Sequence, residues 1–300
     1  MTARRLIRAA LQMPNFHGLG VPDDRMFDHV AGVAVSAEKA GFDSVFVMDH
    51  FYQLIFLGGP NQPMLEGYTL LAGIAARTTK VNLGTLVSGV TYRNPAMLGK
   101  IVTTLDVVSS GRAICGIGAA WYEEEHRAFG FDFPPTAERF EMLAEAVEIL
   151  RGMFSGEPTN VSGRHFRTEG LLNIPAPIRR GGPPLMIGGS GERKTIPMAA
   201  RHADAINFNC TVDEVPRKLD VLSKALQAAG RDRDSMNVTL LVGLVTAPTA
   251  KEVDDLLRRM VAGRGMDPKQ IDDPGFRGAL TARMLVGTHA EVAEIGRAHV

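Results

Sequence analysis

The chain has 300 residues, 45% of them apolar, and its 33 Lys+Arg balance 33 Asp+Glu, for a formal net charge of zero. That composition suits a globular domain with a sizeable core and excludes the disordered and collagen-like classes. With no basic excess to hold a polyanion, no nucleic-acid partner is expected. No apolar run reaches the roughly 18 residues a membrane span needs, so no membrane association is expected either. The basic N-terminal stretch has only a short apolar segment, broken by Gln12 and Pro14, which argues against a secretory signal. Cys115 and Cys210 are the only cysteines, expected as reduced, small core residues of a cytoplasmic protein.

Residues 6–13 read as a strand, followed by a loop holding Asn15, Gly18, Gly20 and Pro22. Phe27, Val30, Ala34 and Ala37 then share one helix face, and Gly41 stops that helix. Residues 44–48 form a second strand, apolar along nearly all its length, as a strand covered on both faces is. A helix over 65–76 precedes a third strand over 81–87, and Pro95 opens a helix with Leu98, Ile101, Val102 and Leu105 on its apolar face. A fourth strand over 113–117 leads to a helix marked by Phe140, Leu143, Val147 and Leu150. Strands five to seven fall at 185–187, 205–208 and 238–245, with helices near 194–201, 215–229 and 251–261.

This alternation implies a parallel sheet with helical crossovers. Seven strands of one composition favour a TIM (β/α)8-type barrel over an open doubly wound sheet, and no Gly-x-Gly-x-x-Gly follows the first strand. Two segments interrupt the pattern. Residues 155–182, with five Gly and three Pro, are expected to carry a small hairpin over the top of the barrel. Residues 263–278, rich in Gly, Asp and Pro, are expected to form a mobile lid.

An eighth strand is missing from this pattern. Residues 294–300, Glu-Ile-Gly-Arg-Ala-His-Val, match the translation of a common sequencing adapter. The expectation is therefore one domain over 1–293, truncated before strand eight, with 294–300 a non-native tail. An unclosed barrel edge would leave strand groups unpaired.

In a barrel, function gathers at the C-terminal ends of the strands. After strand two comes Asp49-His50-Phe51, where a His can reach the mouth and exchange protons near neutral pH, unless it is simply packed under a loop. After strand three, Gly84 to Gly89 and then Tyr92-Arg93-Asn94-Pro95 allow backbone to approach a ligand, though a plain turn explains them as well. After strand five, Gly188, Gly189, Ser190 and Gly191 open a helix carrying Arg193 and Lys194. That arrangement is an anion cradle suited to phosphate, the plain alternative being a Gly-rich turn with solvated basic residues. After strand four comes Trp121, the only Trp, whose flat face suits a ring-binding pocket. The following Glu123-Glu124-Glu125-His126 reads as the charged first turn of a solvated helix; it is not taken as a metal site.

Together, Asp49-His50, the segment from Leu83-Gly-Thr to Tyr92-Arg-Asn-Pro, Gly116-Ile-Gly-Ala-Ala-Trp and Ile187-Gly-Gly-Ser-Gly resemble the luciferase-like monooxygenase superfamily, in its branch dependent on the deazaflavin coenzyme F420. The resemblance spans about residues 6–293. It implies a homodimeric TIM barrel with insertion segments and a deazaflavin across its mouth. It further implies a non-prolyl cis peptide at Leu86–Val87 behind the cofactor ring, and the cofactor phosphate at Gly188–Gly191. His50 is then the catalytic proton donor or acceptor, Asp49 a cofactor-side residue that orients it, and Trp121 part of the substrate pocket. Where the sugar-phosphate dehydrogenases of this branch place a catalytic Glu, this sequence has Trp121, which speaks against a sugar-phosphate substrate. The implied function is hydride transfer between F420 and a small-molecule substrate. The alternatives are an FMN-dependent monooxygenase on the same barrel, or a flavin-binding barrel without turnover.

Overall fold

The computed structural model describes residues 8–16 and 21–298, with side chains to 294. The first two residues of the expected first strand, Gly18 and Gly20, and the end of the expected 294–300 tail lie outside the described residues.

The strands are β1 (Ala10–Met13), β2 (Ser44–Val47), β3 (Asn82–Thr85), β4 (Ser88–Gly89), β5 (Ala113–Gly118), β6 (Thr159–Ser162), β7 (Arg167–Leu171), β8 (Leu185–Gly188), β9 (Ala205–Phe208), β10 (Asn237–Leu240), β11 (Gly243–Ala247) and β12 (Met284–Thr288). The helices are α1 (Met26–Lys39), α2 (Gly67–Ala75), α3 (Pro95–Val108), α4 (Glu123–Phe129), α5 (Thr136–Ser155), α6 (Thr195–His202), α7 (Val215–Ala228), α8 (Ala250–Gly263), α9 (Pro274–Thr281) and α10 (His289–Ala298). The main sheet runs β1-β2-β3-β5-β8-β9-β10, every neighbour parallel, with β4 paired to the end of β5. Among the described residues no strand bridges β1 and β10, so the barrel sheet stays open there. Also among the described residues, no helix is long and apolar enough to cross a membrane.

Alternation along the strands explains which residues meet the helices. Val45 and Val47 of β2, Ala113, Cys115 and Ile117 of β5, Leu185 and Ile187 of β8, and Ile206 and Phe208 of β9 all join the core shared with the helices. The alternate positions Phe46, Ile114, Met186 and Ala205 form a separate cluster with Leu86 on the inner face. Several other inner positions are glycine, at 84, 116, 118 and 188, and these matter for the site. Helix starts follow ordinary capping chemistry. Asn94 Oδ1 accepts from Ala96 N at 2.9 Å with Pro95 at the first helical position, and Thr249 with Glu252 forms a reciprocal capping box on α8.

Four expectations change. The seventh strand divides after Leu240: β10 pairs with β9, whereas β11 leaves the barrel sheet and pairs in parallel with β12. Between them α8, the Pro268–Asp272 helical turn and α9 build a satellite core around Val253, Leu257, Val261 and Ile271. Residues 263–278, expected as a mobile lid, are mostly helical, and their apolar Ile271 and Phe276 join that core. The β6–β7 hairpin is antiparallel as expected, but it lies at the bottom of the barrel. Its segment joins the end of α5 to the start of β8, and chain direction places any helix-to-strand connection below the sheet. Asp106 at the lower end of α3 accepts there from the backbone of Ile178 and Arg179, and Arg179 reaches Asn82 at the start of β3. Finally, α4 is a separate short helix ahead of α5.

Candidate active site

His50 follows the C-terminal end of β2 and is 9% exposed. Its Nδ1 lies 2.9 Å from Oε2 of Glu125, a residue of α4 with no exposed surface. The same carboxylate gathers three more donors. Tyr92 OH donates to Oε2 at 2.6 Å, while the backbone N–H groups of Phe51 and Tyr52 both donate to Oε1, the latter at 2.8 Å. Burial alone would push the Glu125 carboxyl up; the bonds from His50, Tyr92 and the Tyr52 N–H outweigh it and hold it below the usual carboxylate range. Burial, then the adjacent Glu125, push the Tyr92 phenol up, so it remains a donor.

Glu125 corrects two expectations. The 123–126 run is solvated only in its first half, for Glu125 and His126 are wholly buried. His126 is a post: Nδ1 bonds the Tyr122 carbonyl at 2.7 Å, Nε2 bonds Thr91 Oγ1 at 2.6 Å, and its ring stacks on Tyr92 at 4.9 Å. Asp49, in turn, does not orient His50. Both its oxygens are taken by Arg93, at 2.6 and 3.0 Å, and Arg93 continues to Glu66 at 2.6 Å. Burial would lower the guanidinium's pKa, yet Asp49 raises it. The chain Asp49–Arg93–Glu66 thus ties the end of β2 to the start of α2 and to the segment before α3.

The Leu86–Val87 peptide is cis, as the resemblance implies. Here β3 ends at Thr85, two residues short of the expected strand end, and the chain turns before pairing again as β4. The hydroxyls of Tyr68, Thr85 and Ser88 bond one another at 3.0–3.2 Å behind this turn. Val87 itself occupies space left by glycines: a Cβ at Gly188 would lie 2.7 Å from Val87 Cγ2, and one at Gly118 would lie 3.0 Å from it.

At the end of β8, Gly189 has φ +128° and donates to the Asn207 carbonyl at 2.9 Å, while Ser190 Oγ accepts from Asn209 N at 2.8 Å. The N–H groups of Ser190, Gly191, Glu192 and Arg193 have no partner among the described residues. α6 begins only at Thr195, so Arg193 and Lys194 precede the helix and do not ride on it; Lys194 lies over the Phe140 ring at 5.2 Å. Trp121 is 58% exposed, stacked on Tyr122 and edge-on to His50, with ring centroids 5.7 Å apart. The structure therefore brings His50, Trp121 and Val87 to the strand ends at the mouth, and adds Glu125, Tyr92 and Arg93, which sequence reasoning missed as a linked set.

The luciferase-like monooxygenase family model matches residues 9–299. An F420-dependent glucose-6-phosphate dehydrogenase of Nocardia farcinica (strain IFM 10152) is 31% identical over 214 residues, 68% of this chain and 61% of that protein. One from Nakamurella multipartita is 32% identical over 257 residues, 82% of this chain and 72% of that protein. The chain spans about 61% of the length of the first curated relatives it matches. Among solved structures, an F420-dependent secondary alcohol dehydrogenase bound to an F420-acetone adduct superposes with a TM-score of 0.77 at 21% identity, covering 98% of this chain and 90% of that one. EDTA monooxygenase from Chelativorans sp. BNC1 superposes with a TM-score of 0.82 at 18% identity, covering 97% and 85%. At these identities the structural likenesses establish the TIM-barrel fold.

Proposed function

The chain belongs to the luciferase-like monooxygenase family, and from that premise we propose that it is an F420-dependent oxidoreductase, transferring a hydride between C5 of the deazaflavin and a small organic substrate. The observation that carries this reading is His50: a largely buried imidazole at the mouth, with one nitrogen held by Glu125 and its ring bounded by Trp121. The relatives named as F420-dependent dehydrogenases lend further support.

The residues present fit such a cofactor. The unpartnered N–H groups of 190–193, next to glycines 188, 189 and 191, are an oriented donor set suited to a phosphate. Leu86 and Val87 would hold the ring, and Gly188, Gly189, Ser190 and Gly191 the phosphate. When bound, the deazaflavin supplies the hydride chemistry. His50 gives or takes the accompanying proton. Asp49 contributes through Arg93, which fixes the β2 end that carries His50. Trp121 forms part of the substrate wall. Tyr92, which bonds Glu125, packs with Phe51 and Phe131 and is buried with it.

Fluorescence titration of the protein against F420 and against FMN tests the reading. We expect F420 to bind in preference. His50→Ala should then keep binding while turnover falls by about 10²–10⁴-fold, the usual worth of a positioned acid or base. Binding of FMN alone would place the chain with the monooxygenases, and oxygen consumption would be the next assay. Unchanged turnover in the His50 variant would remove His50 from the chemistry.

A further inference from the structure

We propose that Glu125 is the positioning residue that sets the tautomer of His50, fixing the hydrogen on Nδ1 and leaving Nε2 as the nitrogen that exchanges a proton. An ionised carboxylate only accepts hydrogen bonds, so the ring nitrogen 2.9 Å from Oε2 must donate. Tyr92 OH, 3.4 Å from Nδ1, does not compete, because its hydrogen points to Glu125 at 2.6 Å. The Phe51 and Tyr52 N–H groups occupy Oε1, so the carboxylate is held in place by the backbone that carries the ring it orients. Among the described residues nothing bonds Nε2. The three neighbouring rings, Tyr92, Trp121 and Tyr122, all meet the imidazole near a right angle, at 73–77°. One group thus sets both the ring's position and its protonation pattern, the arrangement by which a second residue makes a histidine a defined base.

A carboxylate that merely tied down the 51–52 backbone would behave differently on substitution. In Glu125→Gln the amide oxygen remains the only acceptor for the two backbone N–H groups. That turns the amide NH2 toward the Oε2 position, where it meets Nδ1. His50 must then accept at Nδ1 and carry its hydrogen on Nε2, so the substitution reverses the tautomer while leaving the backbone tied.

This inference deepens the proposed role of His50 and rests on it only for its consequence in turnover. Its test uses the ligand-free chain, so it stands or falls apart from the F420 titration. Long-range 1H–15N correlation spectra of protein labelled at histidine nitrogens read the tautomer directly, with the His50 signals identified by their loss in His50→Gln. For the unaltered chain the neutral ring should show the hydrogen on Nδ1 and the unprotonated, pyridine-type signal on Nε2; the opposite tautomer, or an averaged mixture, overturns the proposal. In Glu125→Gln the pyridine-type signal should move to Nδ1, and a folded variant that retains the original tautomer overturns it equally. If that variant fails to fold, the spectrum of the unaltered chain decides alone.

Discussion

The side chain of Val87 fills the space where Gly188 has no side chain: a Cβ there would lie 2.7 Å from Val87 Cγ2 and 3.0 Å from Cγ1. Gly116 and Gly118, on the facing strand β5, leave room in the same way, at 3.1 and 3.0 Å from the two methyls. All three glycines point inward, so the barrel gives up part of its interior packing to admit one valine from the turn after β3. That one side chain accounts for Gly118 and for the glycine ending β8, whereas at Gly116 the Thr85 carbonyl oxygen comes closer than the valine does.

Substitution should separate the two kinds of close approach. The three atoms nearest a Cβ at Gly188 all belong to Val87, the two methyls closest, so for Gly188→Ala we expect a loss of about 1–3 kcal/mol in urea unfolding, much of it relieved by Val87→Ala. Gly116→Ala is different, because its Cβ would stand 2.1 Å from the Thr85 carbonyl oxygen, which belongs to the backbone. Val87→Ala should bring it no comparable relief. Strict additivity of Gly188→Ala and Val87→Ala would show that the glycine does not serve the valine.

Much of the barrel was legible because its strands are short apolar runs and its helices carry a 3.6-residue stripe. His50 was legible too, since a strand end in such a barrel opens on the mouth. Glu125 was hidden by its two exposed neighbours, Glu123 and Glu124. A signal did exist: Tyr122, Glu125, His126 and Phe129 fall at i, i+3, i+4 and i+7, one helix face, and Phe129 packs its ring on Phe51 at 5.1 Å. The partnership of Asp49 with Arg93, 44 residues away, had no such local trace. Nor did the exit of β11 from the barrel sheet, because periodicity within a strand says nothing about which neighbour it pairs with.

The buried Asp49–Arg93 pair should be costly to break from one side. Arg93→Met leaves a carboxylate with no exposed surface and without its two donors, and we expect a loss of about 3–5 kcal/mol. Asp49→Asn combined with Arg93→Met should recover a substantial part, since no uncompensated charge remains. Arg93→Lys should fall between, because an ammonium does not reproduce the bidentate grip on Asp49 together with the reach to Glu66. Equal urea midpoints for Arg93→Lys and the unaltered chain would refute the importance of that fork.

Acid should unfold the chain through carboxylates that the fold itself keeps ionised. Glu145 shows the logic most simply. Burial is the largest single influence and raises its pKa, but the N–H groups of Phe166, His165 and Arg164 converge on it from the hairpin and together lower it overall, helped by the charge of His165. Glu38 is lowered in the same way, by N–H groups of 79–81 set against a burial effect that raises it, and Glu125 by the bonds already described. A group whose folded pKa is depressed stabilises the fold above its unfolded pKa, and that stability is lost as pH falls through the folded value. Stability should therefore be flat with respect to these groups from neutrality down to about pH 5, then fall below the ordinary carboxylate value of 4.5. Glu145→Gln should cost about 1 kcal/mol at pH 7, a figure kept low because the site is partly open to solvent, and its deficit should shrink toward pH 3 as the unaltered carboxylate protonates. Urea midpoints across that range check it; a deficit that stays constant with pH would mean that the charge of Glu145 does not hold the hairpin to α5.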